Sequence, residues 1–571
     1  MRADTTFETI SKLKLSPEDL YRFRLHRRYQ DILLEALRPI RLFTYVDILI
    51  VVDTEIDTNP GIGFGIGSVI ELLRATTVGC MHFRVDIAER SAGSPAVVAS
   101  PGPYQPKYTA FRFDMIDDGA LVIDKYEQIW CFGFKPDNFG GSDANIDQPG
   151  ALPATDAELA KLANWMKTKQ GGMFATGDHD YLGASMCRRI PRIGTMRRWT
   201  NADGVPPIGS PDRIDTLRPP SALFEPGAPG GPQELFNEPH QGDTTIQPIE
   251  WVPWQRRRVS SLFESRRPHP VLCHPTLGPI NVMPDHAHEG LCRDTGSVSL
   301  TGTYEFDGTG PQLEYPDALG GGAKPAPMVI AYGSTLGDPP YNFGKGPQPA
   351  RARFPMISVY DGHLAGVGRC ATDSTWHHWM DANIGAIKTA GGNDWEKVKR
   401  YYINLAVWLS PPGYNTSCLY LTTFVSHFNH VGLQEYSPKL SNVELGRALH
   451  GYLVTLFGPC WVSQVVLEIL DILKVRLRDD PRFPLPPEPC LSCPPIELIE
   501  LTALGGLVRA SLDEATQIHS AARELRSAHQ IKMTSFEDML LPGVSASLRE
   551  LAKSWREDLK RSSHAVDLLA K

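Results

Sequence analysis

The sequence predicts a doubly wound α/β domain over residues 45–412, a helical segment before it (1–44) and an all-α domain after it (413–571). Three observations carry that prediction. Apolar, β-branched runs alternate with amphipathic stretches from about residue 45 to 410, the pattern of strand–helix–strand units. The alternation stops at Pro411-Pro412. Residues 440–570 then show helical spacing only, broken by the proline-rich PRFPLPPEPCLSCPP (481–495).

The elements follow in order. Residues 16–40 read as a helix capped at Ser16, with Pro17 in its first turn. YVDILIVV (45–52) is a continuous apolar run ending at Asp53, which suits a strand covered on both faces. A glycine-rich turn, GIGFGIG (61–67), leads into a helix over 68–74. Strands are expected at 82–88 and 126–134. Thr155 and Glu158 form a capping box for a helix whose buried stripe is Leu159, Leu162, Ala163 and Met166. Gly171 and Gly172 end it, and 172–176 is the next strand. Further strands are expected at 328–332, 355–360 and 368–372. The helix over 394–409 buries Val398, Tyr402, Leu405 and Leu409. Pro/Gly-rich stretches at 135–153, 200–250 and 305–350 interrupt the pattern, and loops of that length are functional or disordered.

Composition narrows the function classes. At 571 residues, two or three domains are expected. A formal charge of −8 gives no reason to expect a nucleic-acid partner. Of ten cysteines only Cys490 and Cys493 form a C-x-x-C pair, half of what a structural zinc site needs. No signal-peptide pattern opens the sequence, so the cytoplasm is the expected location. The apolar stretch 452–467 is short and contains Gly458, Pro459 and Gln464, so a buried helix hairpin is expected there and no membrane partner.

Three histidine–carboxylate clusters follow strand-like runs: GDHDYLG (177–183), PDHAHEG (284–290) and DSTWHHW (373–379). Ligands of open α/β sheets bind at the carboxyl ends of the strands, so the clusters are expected to converge on one site. In the first, His179 sits at a strand–turn–helix elbow, flanked by Asp178 and Asp180. It either does chemistry or satisfies backbone groups at a tight turn. In the second, His286 and His288 point the same way if extended and form a pair of metal ligands, with Asp285 or Glu289 as a third ligand, an orienting group or a general base. The alternative is a surface loop. In the third, Asp373 and Ser374 end a strand, His377 and His378 begin a helix so that at most one of them faces the site, and Trp376 and Trp379 read as core. Arg188, Arg189, Arg192, Arg197 and Arg198 crowd the segment after the elbow, either as a solvated face or as an anion-binding set. The glycine run at 61–67 departs from G-x-G-x-x-G, so no nucleotide cofactor is expected.

The order of these parts resembles the class I glutamine amidotransferase-like superfamily, in particular its ThuA-like (trehalose-utilisation) branch. The resemblance rests on the first strand ending in Asp53, GGMFATGDH with histidine where cysteine would be, HPVLCHP before PDHAHEG, and GVGRCATDSTWHHW. It covers about residues 45–410 and leaves the helical tail without a counterpart. It implies a flavodoxin-like parallel sheet, loss of the cysteine nucleophile, and His179 and Asp373 at the old catalytic positions.

The resulting expectation is a hydrolase, with or without metal assistance, acting on a polar small molecule or carbohydrate. His179, Asp178, Glu289 and Asp373 are its catalytic candidates. Asp180, Ser374, Arg188 and Arg189 are the substrate-binding candidates. His286, His288 and His179 are the ligands of a divalent zinc, manganese or iron. The alternative is a non-catalytic ligand-binding or assembly module, with the helical C-terminal domain meeting a protein partner or a second copy of the chain.

Overall fold

In a computed structural model, the residues described are 44–136, 145–178, 181–200, 203, 246–258, 264–284, 290–308, 310–334, 353–429, 440–473, 494–524 and 536–569. The helix expected over 16–40 lies outside them.

The chain is α/β, built on a large mixed sheet with helices on both faces. In chain order the principal elements are β1 (Thr44–Asp53), α1 (Gly67–Ala75), β2 (Met81–Arg90), β3 (Gln128–Phe132), α2 (Asp156–Thr168), β4 (Gly172–Thr176), β5 (Met328–Ser334), β6 (Arg353–Tyr360), β7 (Cys370–Asp373), α3 (Asp381–Ala390) and α4 (Gly392–Trp408). Their order across the sheet is β5-β6-β7-β4-β3-β1-β2, with short strands beyond each end. The pairs β7–β4, β4–β3 and β3–β1 are parallel.

The fully parallel sheet of the sequence prediction is corrected at one side. There β5–β6 and β6–β7 are antiparallel, as is Glu250–Trp251 on β5. The physical reason lies in the connections. Only residues 361–369 join β6 to β7, too few for the crossover a parallel pair needs.

Alternation along the central strands separates two cores. Leu49, Val51, Ile129, Cys131, Met173 and Ala175 pack with Leu159, Leu162, Trp165 and Met166 of α2. On the other face Trp130, Phe132 and Phe174 surround Trp379, which also packs against Tyr401 and Tyr402 of α4. The expected capping box of α2 is present: Thr155 Oγ1 accepts from the Glu158 amide at 3.3 Å, and Glu158 Oε1 accepts from the Thr155 amide at 3.3 Å. Glu158 also binds the buried Arg90 guanidinium at 2.6 Å, so one side chain starts the helix and ties it to β2.

The rest of the chain is helical: α5 (Tyr414–Asn429), α6 (Asn442–Phe457), α7 (Pro459–Ile472), α8 (Ile496–Glu524) and α9 (Phe536–Leu569). The helical tail does not form one body. The sheet unit takes Tyr45–Cys418 together with Gly451–Cys493, and the second unit holds Leu419–His450 and Pro494–Lys571. The reason is visible in α7, which is apolar nearly all round. Trp461, Val465, Val466, Ile469 and Leu470 are buried, and Glu468 binds Arg369 at 2.5 Å just before β7. In the second unit α8 and α9 pack along each other, Arg509 of α8 bonds Asn442, and Asn442 donates to Glu550 at 3.2 Å. The expected hairpin at 452–467 is the α6–α7 break at Gly458, with a 119° bend. No single described helix is long and apolar enough to cross a membrane.

Candidate functional site

The carboxyl ends of β1, β3, β4 and β7 meet at one edge. Asp53 closes β1 as a buried carboxylate that accepts from the amides of Phe134 at 2.6 Å and Lys135 at 2.9 Å, just past β3. Burial raises its carboxyl above the usual value, opposed by those two amides.

β4 runs into the elbow. The Asp178 amide bonds the Leu182 carbonyl at 3.2 Å, and Gly183 takes φ 90°, a left-handed conformation that favours glycine. The loop therefore closes on itself within five residues. Asp178 is fully buried; Thr375 Oγ1 donates to its Oδ1 at 2.6 Å, and His377 Nε2 lies 3.3 Å from its Oδ2. His377 also meets Asn383 at 3.2 Å through Nδ1 and stacks on Trp376. His179 and Asp180 lie outside the described residues.

β7 runs into the second turn. Its end is fixed to the elbow, since Thr176 Oγ1 donates to the Asp373 carbonyl at 3.3 Å and the Trp376 amide to the Gly177 carbonyl at 2.9 Å. The Asp373 carboxylate is fully buried and ringed by donors. Trp379 Nε1 at 3.2 Å and Tyr401 hydroxyl at 2.9 Å reach Oδ2, and His378 Nδ1 lies 2.7 Å from Oδ1. A carboxylate has only acceptors, so His378 Nδ1 is the donor of that last bond. Burial, with Asp373 alongside, holds the Tyr401 phenol well above its ordinary range, so it stays a donor. His378 Nε2 is buried and has no hydrogen-bond partner among the described residues; Ser374 Oγ is in the same condition.

The third cluster is described only at its margins. Asp285, His286, His288 and Glu289 lie outside the described residues. Gly290, which ends it, lies against the second turn: a Cβ there would fall 1.5 Å from the Ser374 carbonyl, so only glycine fits. Leu291 and Cys292 continue along the arginine segment, with the Arg198 amide donating to the Leu291 carbonyl at 3.0 Å. GDHDYLG and DSTWHHW therefore meet, and the end of PDHAHEG touches both Ser374 and its surroundings.

The arginine run divides. Arg188 pairs with Asp147 and Arg189 with Asp156, in partly exposed ion pairs that account for both side chains without a ligand. Arg192 is buried on Glu314. Arg197 reaches the site. Its Nη2 donates to the carbonyls of Asp178 at 2.8 Å and Ser374 at 2.7 Å, and its Nη1 to that of Arg198 at 2.7 Å.

Sequence reasoning expected at most one of the adjacent histidines to face the site. Each instead meets a strand-end carboxylate, because Trp376–His378 is a 3-10 turn that sends successive side chains about 120° apart, toward the ends of two neighbouring strands. It also named Asp373 among the catalytic candidates. Its two oxygens already meet His378, Trp379 and Tyr401. Tyr401 was not among the sequence candidates, and His378 and Arg197 were raised only as members of a histidine pair and an arginine run. Nothing local marked Tyr401.

The thiols near this edge are protonated and buried. Burial pushes Cys292 up to about 12 and raises Cys187 well above the usual value. Among the described residues no group of three or more His, Cys, Asp or Glu side chains is placed to hold a metal ion. Comparison with protein-family models, curated proteins and solved structures gives no match.

Proposed function

We propose that the protein is a hydrolase of a polar small molecule or carbohydrate in which His378 is the general base and Asp373 its orienting partner. The observation that carries the reading is the 2.7 Å bond between Asp373 and His378 Nδ1, which leaves the buried Nε2 with no partner among the described residues. In this scheme Nε2 takes a proton from water as the water oxygen bonds to the substrate's carbonyl or anomeric carbon. The imidazolium, stabilised by Asp373, then gives that proton to the departing oxygen or nitrogen as its bond breaks. Asp178 and His377 provide a second acid–base pair on the adjacent strand end.

The same reading places the domain among glutamine amidotransferase-like, ThuA-like folds without the cysteine nucleophile. Its support is the order β2-β1-β3-β4-β7, which is the flavodoxin-like sequence 2-1-3-4-5 for those five strands. The full burial of Asp373 and His378 favours a second reading, a non-catalytic ligand-binding module in which this network only holds the edge together.

The test is turnover of aryl esters, anilides and aryl glycosides by the wild type, His378→Gln and Cys187→Ser. The hydrolase reading expects at least one class to turn over, a ~10²–10⁴-fold loss in His378→Gln at unchanged melting temperature, and little change in Cys187→Ser. No turnover of any class, or an unchanged rate in His378→Gln, hands the site to the binding-module reading.

A further inference from the structure

No residue of HPVLCHP (269–275) belongs to the candidate site. Its Cys273 opens a short hairpin in which Cys273–His274 pairs with Gly278–Pro279, and Asn404 Nδ2 of α4 donates to the Cys273 carbonyl at 2.9 Å. α7 begins against this residue. A Cβ on Gly458, just before α7, would lie 3.5 Å from Cys273 Sγ and 3.3 Å from the Cys273 carbonyl oxygen. Cys460, the second residue of α7, hydrogen bonds to Cys273 Sγ through both its thiol and its amide. Amides in the first turn of a helix have no partner inside it, so the Cys273 sulfur caps α7 from outside. Both thiols are free and buried, at 2% exposure for Cys273 and 0% for Cys460.

Two arginines act on the same sulfur. Arg400 of α4 donates to Asn404 Oδ1 at 2.7 Å and to the Leu456 carbonyl at 2.9 Å. Burial lowers its guanidinium to about 10, and Cys273 is the group that opposes that fall. Arg267 donates to Ser463 Oγ of α7 at 3.0 Å. The hydrogen bond from the Cys460 thiol, then the Cys460 amide and these two charges, hold the Cys273 thiol below its usual range against burial. A second pair of neighbouring thiols, Cys131 and Cys187, lies in the core. They are also hydrogen bonded, but burial raises Cys187 well above the usual value, and Cys131 and Asp53 add to it. Two adjacent sulfurs are common to both pairs, and the net pull on the proton is opposite.

We propose that Cys273 and Cys460 are a dithiol oxidised by hydrogen peroxide, Cys273 the attacking sulfur and Cys460 the resolving one, and that their disulfide fastens the start of α7 to the hairpin. Cys273 lies beside a turn whose Thr276 and Gly278 are exposed, while its own exposure is 2%, which admits a small oxidant and shuts out a bulky one. The Cys273 thiolate attacks one peroxide oxygen. The S–O bond forms, the O–O bond breaks, and the departing hydroxide takes the proton that Cys273 released and leaves as water. Cys460 Sγ then attacks the sulfur of that sulfenic acid. The S–S bond forms, the S–O bond breaks, and hydroxide leaves with the Cys460 proton as a second water. The two thiols lose two electrons in all, and one peroxide is reduced to two waters.

The test treats the reduced full-length protein with a small molar excess of hydrogen peroxide at neutral pH, alkylates the remaining thiols in denaturant and maps the peptides by mass spectrometry. The expected product is a Cys273–Cys460 cross-linked peptide that dithiothreitol reverses, while Cys131 and Cys187 stay open to alkylation. In Cys460→Ser the sulfenic acid has no resolving thiol, so dimedone is expected to label Cys273. In Cys273→Ser, Cys460 is expected to react with peroxide at least ~10-fold more slowly than Cys273 does in Cys460→Ser. The rate of Cys273 oxidation is expected to level off below about pH 8.5, where an ordinary thiol is half ionised. A Cys131–Cys187 link that forms first, a link from Cys273 or Cys460 to any other cysteine, or no link at all in the wild type overturns the proposal. So does a Cys273→Ser variant in which Cys460 reacts as fast as Cys273 does in Cys460→Ser.

Discussion

At the scale of the residue, buried ionisable groups set what substitution and pH will do. Glu158 is the clearest case, because it caps α2, binds Arg90 and accepts from the Phe113 amide at 3.1 Å. Glu158→Ala would leave the buried guanidinium without its carboxylate and is expected to cost about 3–5 kcal/mol, measured by chemical denaturation. Loss under about 1 kcal/mol would mean that water reaches Arg90. His269 supplies the pH dependence. It sits between the rings of Trp254 and Trp408, its Nδ1 accepts from the Val271 amide, and burial lowers it to about 3. Its folded value lies below the unfolded one, so the unfolded chain binds the extra proton between them. Stability is therefore complete above about pH 6.5 and falls as the pH drops toward 3. His269→Gln should flatten that part of the acid-denaturation curve, and an unchanged curve would place the proton uptake elsewhere.

At the scale of the element, the two turns that carry the site are braced by backbone as much as by side chains. Gly183 at φ 90° closes the elbow, and a Cβ there would lie 3.1 Å from the Gly133 carbonyl oxygen and 3.2 Å from the Trp199 ring. Gly183→Ala is expected to lower the melting temperature and to broaden the His377 and His378 NMR signals together, since both ride on the β4–β7 junction. Sharp, unshifted signals would show that the junction does not depend on the elbow. The central strands were legible from sequence because a fully covered strand reads as an unbroken apolar run, as in 45–52 and 172–176. Their neighbours β5 and β6 gave the same kind of run, and a run carries no sign of its direction. The antiparallel side was therefore invisible until the short β6–β7 connection was seen. The helix expected to begin at His377 and His378 starts later, as α3 at Asp381, because Trp376–His378 forms a separate 3-10 turn before it. Within the site, Asp178, Asp373 and Ser374 were readable as strand-end polar residues. Tyr401 and Arg197 were not, because their bonds to Asp373, Asp178 and Ser374 cross separations that only topology closes.

At the scale of the whole molecule, the composition break at Pro412 is not the boundary of the sheet unit. That unit includes α7, through Glu468 on Arg369 and Ser463 on Arg267 at 3.0 Å. A chain ending at residue 440 would strip one of its two carboxylates from a fully buried guanidinium and uncover the apolar face of α7's site. It is expected to be insoluble or to expose hydrophobic surface to a dye probe. A soluble, cooperatively melting fragment of that length would show that α7 is dispensable to the sheet. The sequence reading stopped at the proline pair because an all-round apolar helix looks the same whether it belongs to the unit before it or after it. Function follows the same geography: the chemistry-bearing residues described lie on the carboxyl edge of the parallel strands, within the sheet unit.

The central claim is that Asp373 fixes His378 with its proton on Nδ1 and a bare Nε2. Nitrogen-15 chemical shifts of the His378 ring in the full-length protein at neutral pH measure this directly. The account requires a protonated Nδ1 and an unprotonated Nε2, with Asp373→Asn abolishing that preference. A ring protonated on Nε2 alone, or on both nitrogens, in the wild type would contradict it.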